Sequence, residues 1–422
     1  MKKIEKLKFC KKCLYSTSHP LGLVLDDKGV CSGCNVHEEK YNLDWKERFE
    51  KLKKIVNSYK SKSNKNYDCI IPVSGGSESY WTIHIVKNLL KLNPLLVSYN
   101  KYYNTDIGIW NLSNLRIKFD CDILFQHINP IKVRKITKQT LRDYGSLYWH
   151  CIAGQTNFPV QTAIDFQVPL IIWGAHQGVE QVGMFSHLHE VEMSRRYRKD
   201  HDLMSIEADD LLSIESTLDE DDIWQYRYPS DHELNKVGVR GIYLSNYLPW
   251  DPKAQDELMI KKFNFKTSKL ARTFDTYEHV DCFNYMNIHD LLKLNKCGYS
   301  KVTDHACREI RHKRISRKEA EILVGYYENQ EIKYSDMFLK WLGIDKTSLK
   351  FLLDRHKNNE FWELKDWNTK EWKFKGLSYL RNSKKQIISK NKIDLINKRI
   401  KFISSHKNKN LEDYITVGRG YP

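Results

Sequence analysis

The sequence predicts an α/β protein: a doubly wound parallel sheet, preceded by a small cysteine module and followed by a mainly helical region. Three observations carry this. Short apolar strand patterns alternate with amphipathic helix patterns from residue 67 to about residue 173, which implies βαβ units and a parallel sheet. A glycine turn, Ser74-Gly75-Gly76-Ser77, joins the first of those strands to a helix pattern. Two Cys-x-x-Cys pairs stand ahead of it, Cys10/Cys13 and Cys31/Cys34.

The cysteine module occupies residues 1–40. Two thiolates two residues apart reach one metal from a tight knuckle turn, and a second knuckle completes a tetrahedral sulfur shell. Seventeen residues separate the pairs. Between them Leu21 to Leu25 reads as a short strand, Asp26 to Gly29 as its turn, and Val30 as the return. This spacing predicts a zinc ribbon in which Cys10, Cys13, Cys31 and Cys34 hold Zn²⁺. Four thiolates leave no open coordination position, so the zinc is structural. An iron–sulfur cluster would use the same ligands, and a disulfide or redox pair is disfavoured in a cytosolic chain. The other six cysteines are scattered and read as reduced bystanders.

Residues 41–66 read as a helix and a linker. Leu43, Trp45, Phe49, Leu52, Ile55, Val56 and Tyr59 recur at helical spacing, and Ser61 to Asn66 has linker composition. The sheet domain follows over 67–235. Tyr67 to Val73 is its first strand, and Ser74 to Ser79 is the turn into a helix. Strand, glycine turn and helix together make an anion cradle, because glycines let the backbone amides and the positive helix end approach a phosphate. No Gly-Lys-Ser/Thr follows at the spacing of a Walker A loop. Strands at Pro94 to Tyr99, Asp122 to His127 and Pro169 to Trp173 alternate with helices at Ile107 to Phe119, Ile131 to Tyr144 and Pro159 to Phe166. Ligands of such sheets bind beyond the carboxyl ends of the strands, so residues just after strands, such as Asn100 and Gly174 to Gly178, are expected to line the nucleotide or substrate cleft.

Residues 236–375 read as a mainly helical region, and 376–422 as a basic tail. Ser316 and Glu319 form a capping box ahead of a helix through Leu323 and Val324. Asp304, Arg308 and Arg311 are three and four residues apart, on one helix face. With Arg314 they are able to offer forked donors to a phosphate or carboxylate. On spacing alone a solvated basic helix with an internal Asp–Arg pair is the plainer reading.

Composition excludes other classes. The chain has 422 residues, 41% hydrophobic and 12% aromatic, enough for packed cores rather than global disorder. No apolar run approaches the ~20 residues of a membrane helix. The basic N-terminus lacks the apolar core of a signal peptide. A cytoplasmic protein without membrane contact is expected. The formal charge of +16 is unevenly spread. Residues 384–409 carry nine Lys/Arg and one acid, whereas residues 200–222 carry ten acids and no Lys/Arg. Local surface features explain this better than one nucleic-acid groove, so nucleic acid is not the expected partner.

The Ser74–Ser79 turn is similar to the SGGxDS loop of PP-loop ATP pyrophosphatases, with Glu78 where that loop has Asp. The ordered set extends the resemblance: the two Cys-x-x-Cys pairs, this loop, Gly238-Val-Arg-Gly-Ile-Tyr-Leu244, Leu248-Pro-Trp-Asp251, and the Thr303-Asp-His-Ala block running to Arg311, Arg314 and Ser316. From Cys10 to about Trp372 the chain resembles the N-acetyl sugar amidotransferase family, PP-loop enzymes of surface-polysaccharide and nonulosonate sugar biosynthesis. The resemblance implies that ATP adenylates the oxygen of a sugar acetamido group and releases pyrophosphate. Ammonia then displaces AMP and leaves an acetamidino group. It implies ATP, Mg²⁺ and structural Zn²⁺ as cofactors. Ser74, Gly75, Gly76, Ser77, Glu78 and Ser79 would form the catalytic phosphate loop. Asp304, His305, Arg308, Arg311 and Arg314 are the candidates for the sugar or its nucleotide. UDP-linked acetamido-uronic acids, pseudaminic-type and legionaminic-type sugars all fit. No cysteine has a Cys–His–Glu glutaminase context, so a separate glutaminase, with a cyclase-like companion, is expected to supply ammonia.

Two other readings compete. A tRNA-thiolating PP-loop enzyme also pairs a zinc ribbon with such a loop, and it would need reactive cysteines in the sheet domain. A non-catalytic zinc-ribbon interaction protein would keep the fold without the chemistry.

Overall fold

The computed structural model describes residues 7–62, 65–213, 215–366, 368–375, 390–405 and 415–418. The apolar runs of the middle region become strands β1 (Cys69–Pro72), β2 (Pro94–Tyr99), β3 (Tyr103–Thr105), β4 (Ile123–Gln126), β5 (Leu170–Trp173) and β6 (Arg240–Tyr243). Five of them form one sheet in the order β4-β2-β1-β5-β6, with every pairing parallel. The chain moves outward from β1 through β2 to β4, then returns to the other side of β1 for β5 and β6. The direction of winding reverses between β1 and β5, and the loops after these two strands leave the same carboxyl edge. β1 and β2 are almost wholly buried, as continuous apolar strands covered by helices should be.

The helices sit close to their expected places, at Asp106–Phe119 and Pro130–Tyr144. Thr105 caps the first through Gly108 N–H, and Asn129 followed by Pro130 starts the second. The next helix differs: it runs from Trp149 to Asp165 with Pro159 inside it. Reading Pro159 as a helix start overlooked the buried run of Trp149, His150, Cys151 and Ala153 that precedes it. The sheet also draws in Arg240–Tyr243, from the segment expected to open the helical region, because Leu170 to Trp173 pair with it residue for residue.

The cysteine module is not a ribbon of regular strands. An isolated bridge, Leu25 with Cys31, stands where the Leu21–Leu25 strand and its return were expected, and a second joins Phe9 to Ser16. The second cysteine pair opens directly into a helix, Ser32–Glu39. A separate helix, Trp45–Tyr59, is capped by Asp44. The module shares a hydrophobic core with the helical region: Cys10, Cys13, Leu14, Tyr15, Cys31 and Cys34 pack with Val302, Cys307, Leu323 and Val324. The Ser316–Glu319 capping box is present at the start of Arg317–Tyr327. A hairpin of β7 (Trp362–Asp366) and β8 (Glu371–Phe374) follows. The described parts of the basic tail are packed rather than free. Helix Lys390–Ile400 buries Ile393, Ile396 and Ile400, and β9 (Ile415–Val417) pairs antiparallel with β3. Residues 376–389, 406–414 and 419–422 of that tail lie outside the described residues. No helix among the described residues is long and apolar enough to cross a membrane.

Candidate functional site

The four cysteine sulfurs lie within 4.8 Å of one another and all four residues are buried. Cys13 Sγ is 3.6 Å from Cys31 Sγ, and Cys10 Sγ is 4.0 Å from Cys34 Sγ. Zinc–sulfur bonds of about 2.3 Å give a tetrahedron edge of about 3.8 Å, so the cluster fits a tetrathiolate Zn²⁺. The backbone amides of Lys12, Cys13 and Cys31 all point at Cys10 Sγ, as knuckle turns arrange them.

Around the glycine turn, Ser74 N–H donates to Ser79 Oγ at 2.8 Å and Gly76 N–H donates to Ser74 Oγ at 3.1 Å. These bonds curl the loop over the start of helix Ser77–Ile83. Gly75 and Gly76 serve different purposes. A Cβ on Gly75 would lie 2.2 Å from the carbonyl oxygen of Gly108, so Gly75 is required by backbone packing. A Cβ on Gly76 would meet nothing closer than Ser74 Oγ at 3.2 Å, on the cavity side. Gly76 is therefore the cleaner position for testing the loop; Gly75→Val would also disturb the fold.

Glu78 reaches across the switch point and accepts from Ala175 N–H at 2.7 Å. A Cβ on Gly174 would fall 2.0 Å from Glu78 Oε1, which explains the glycine at the end of β5. Confinement among protein atoms pushes the Glu78 carboxyl up to about 7, with Glu278 and Glu180 adding to the effect and the Ala175 amide opposing it. A carboxyl raised from its usual 4.5 gives stability that is complete below about pH 4.5 and is lost as pH rises through about 7. Glu78→Gln keeps an acceptor for Ala175 and removes the titration. Its denaturation midpoint is expected to fall less than the wild type's between about pH 5 and pH 8. Equal slopes would show that Glu78 ionises normally.

The loop opens into a cavity of about 510 Å³. Ser74, Gly76, Ser77 and Glu78 line one side; Asp304, His305, Arg308 and Arg311 line the other. The helix Lys301–Arg311 carries all of this second group. Its charges are already engaged. Arg308 bonds Asp275 at 2.5 Å, Glu309 at 2.7 Å, and Glu278. Asp304 accepts from Tyr15 OH at 2.8 Å and pairs with Lys293 and Lys301. Burial opposes ionisation of Asp304, but these two lysines hold its carboxyl well below the usual range. The expected Asp304–Arg308 pair does not form.

Arg311 turns toward the cysteine module. It donates to the carbonyls of Gln181 at 2.7 Å and Glu180 at 3.2 Å, with Cys31 Sγ 3.9 Å away. Arg314 is not among the lining residues and pairs with Asp251 and Glu309. Asn100 does not line the cavity either; it is buried and accepts from Tyr102 N–H and Asn104 Nδ2. Its neighbour Lys101 takes the expected place after β2, with Nζ 2.5 Å from Asp281. Sequence reasoning missed Lys101, Asp281, Asp256, Glu180 and Tyr15, which all line the cavity. The strand-end rule pointed one residue short of Lys101. Asp281 stands in the Tyr277–Cys282 segment, which carried no local signal of its role.

Comparison with known proteins bears on the helical half. Residues 271–375 match the C-terminal domain of WbpG-like LPS biosynthesis proteins. An uncharacterized protein of Methanocaldococcus jannaschii, MJ1599, is 28% identical over 119 residues, which cover 27% of this chain and 41% of that protein. The chain thus spans less than half the length of that relative. The helix that carries Asp304, His305, Arg308 and Arg311 falls within the matched domain. The cavity wall facing the glycine loop is therefore built from a segment similar to a lipopolysaccharide-biosynthesis domain.

Proposed function

We propose that this protein is a cytoplasmic, ATP-dependent amidotransferase of PP-loop type that converts an acetamido group of an N-acetyl sugar into an acetamidino group. The sugar is nucleotide-linked or a nonulosonate. The observation that carries the reading is the shared cavity: the glycine loop at the sheet's switch point faces a helix from the LPS-biosynthesis-like segment across one space. An amide carbonyl is a poor electrophile. Transfer of AMP to its oxygen turns that oxygen into a leaving group, and ammonia then takes its place.

In this reading the Ser74–Ser79 loop holds the departing pyrophosphate with preorganised donors. Glu78 within the loop, with Asp256 and Asp281 lining the cavity beside it, are the carboxylates available to Mg²⁺, which would neutralise the phosphates. Asp304, His305 and Arg308 face the sugar, while Arg311 and Arg314 hold the wall behind them. The tetrathiolate zinc fixes the Tyr15 side of the cavity. A separate glutaminase, with a cyclase-like companion, supplies the ammonia. No cysteine lines the cavity among the described residues, which favours this reading over tRNA thiolation.

The test is pyrophosphate release from ATP with Mg²⁺, an ammonium salt and a panel of N-acetyl sugars. Release is expected only when an acetamido sugar is present, and Gly76→Val is expected to abolish it in a folded protein. Failure to release pyrophosphate with every acetamido substrate would overturn the assignment.

A further inference from the structure

We propose that Glu278, His279 and His305 form a second metal site, for a divalent transition-metal ion of the Zn²⁺ class, with an open coordination position facing the cavity. The three ligand atoms lie within 4.8 Å of one another. Glu278 Oε2 is 3.2 Å from His305 Nε2 and 3.6 Å from His279 Nε2. Metal bonds of about 2.0–2.1 Å to nitrogen and oxygen give a tetrahedron edge of about 3.3–3.4 Å. The two measured edges bracket that value.

Each donor is aimed by something behind it. His305 Nδ1 is 2.7 Å from Thr273 Oγ1, which leaves Nε2 toward Glu278. Arg308 binds Glu278 Oε1 and leaves Oε2 toward the histidines. The His279 ring stacks on Tyr285 at 3.7 Å and 17°. Its Nε2 is buried and has no hydrogen-bond partner. Such outer contacts orient ligands in metal sites. His279 also has φ of +59°, a left-handed conformation unusual for a side-chain-bearing residue, and this conformation turns it toward the other two.

The nearby cations do not fill the site. Arg308 is shared with Asp275 and Glu309, and Lys301 faces Asp304. Two imidazoles and one carboxylate suit zinc, iron or manganese better than Mg²⁺. Three protein ligands leave one position open, and all three residues line the cavity. The fourth ligand would be water or an oxygen of the bound substrate. This site is separate from the thiolate cluster, whose four sulfurs saturate their ion.

The test needs neither nucleotide nor sugar, so its failure is distinct from failure of the proposed activity. Purified full-length protein is equilibrated with Zn²⁺, dialysed and analysed for metal. About two zinc ions per chain are expected, falling to about one in His279→Ala. Co²⁺ loading separates the sites, because only the thiolate site gives sulfur-to-cobalt charge-transfer absorption. His279→Ala should lose the part of the visible d–d absorption that comes from the histidine–carboxylate site and keep the thiolate site's charge-transfer and d–d bands. If His279→Ala does not fold, Glu278→Gln reads the same loss. A wild-type chain with one zinc ion, or a folded variant with unchanged zinc content and cobalt spectrum, overturns the site.

Discussion

Cys10→Ser is expected to remove about one zinc ion per chain and to lower the thermal midpoint by on the order of 10 °C. The effect is large because Cys10 is the hub of the module. Its sulfur receives three backbone amides, and Arg317 donates to its carbonyl at 2.5 Å and to that of Cys13. The cysteine knuckles are the floor of the core that buries Leu14 and Tyr15 against Val302, Ala306 and Cys307. A Cys10→Ser chain that cannot hold an ion there would have no charge to bind its remaining sulfurs together, and Tyr15 is expected to lose its hold on Asp304. ATP-dependent turnover is expected to fall with the cavity wall. Cys121→Ser, outside the cluster, should leave the zinc content unchanged. Metal content and a melting curve on both variants decide the matter; full zinc in Cys10→Ser would contradict the assignment.

Gly75→Ala is expected to reduce ATP-dependent turnover by roughly 100-fold or more and to cost about 1–3 kcal/mol of stability. The added methyl would fall 2.2 Å from Gly108 O and 2.8 Å from Gly108 Cα, which are backbone atoms. Gly108 cannot retreat, because a Cβ on Gly108 would itself lie 2.5 Å from Asp281 Cα. Three backbones are stacked there: the glycine loop, the helix capped by Thr105, and the segment that carries Asp281. The loop must move instead, and its amides leave the positions that face the cavity. Gly174→Ala should be milder, since the atoms nearest its methyl belong to the Glu78 side chain, which has rotatable bonds, rather than to backbone. Pyrophosphate release and denaturant unfolding measure both effects. Wild-type turnover in Gly75→Ala would refute the packing argument.

Local signals made much of this structure readable. The strand and helix alternation, the glycine turn and the Ser316 capping box are written in short-range pattern, and all three appear where expected. The cysteine spacing carried the four-sulfur cluster, though not its fold, because a knuckle can open into a strand or a helix with the same Cys-x-x-Cys. What the sequence did not disclose is long-range choice. Arg308 lies on a face with Asp304, yet the tertiary fold brings Asp275, Glu278 and Glu309 to it and gives Asp304 to Lys293 and Lys301. β6 and β9 are short segments whose partners lie far away in the chain, and nothing in their own periodicity announces the pairing. Glu78 looked like a longer Asp; its contact with Ala175 depends on β5 lying next to β1.

The most direct measurement is the mass of the sugar after reaction. Purified protein is incubated with ATP, Mg²⁺, an ammonium salt and the acetamido sugar that supports pyrophosphate release. The sugar's mass is expected to change by replacement of one oxygen with an NH group, with one AMP formed per sugar converted. With ¹⁵N ammonium, the added nitrogen should carry the label. Sugar of unchanged mass alongside ATP cleavage, or conversion without AMP, would contradict it.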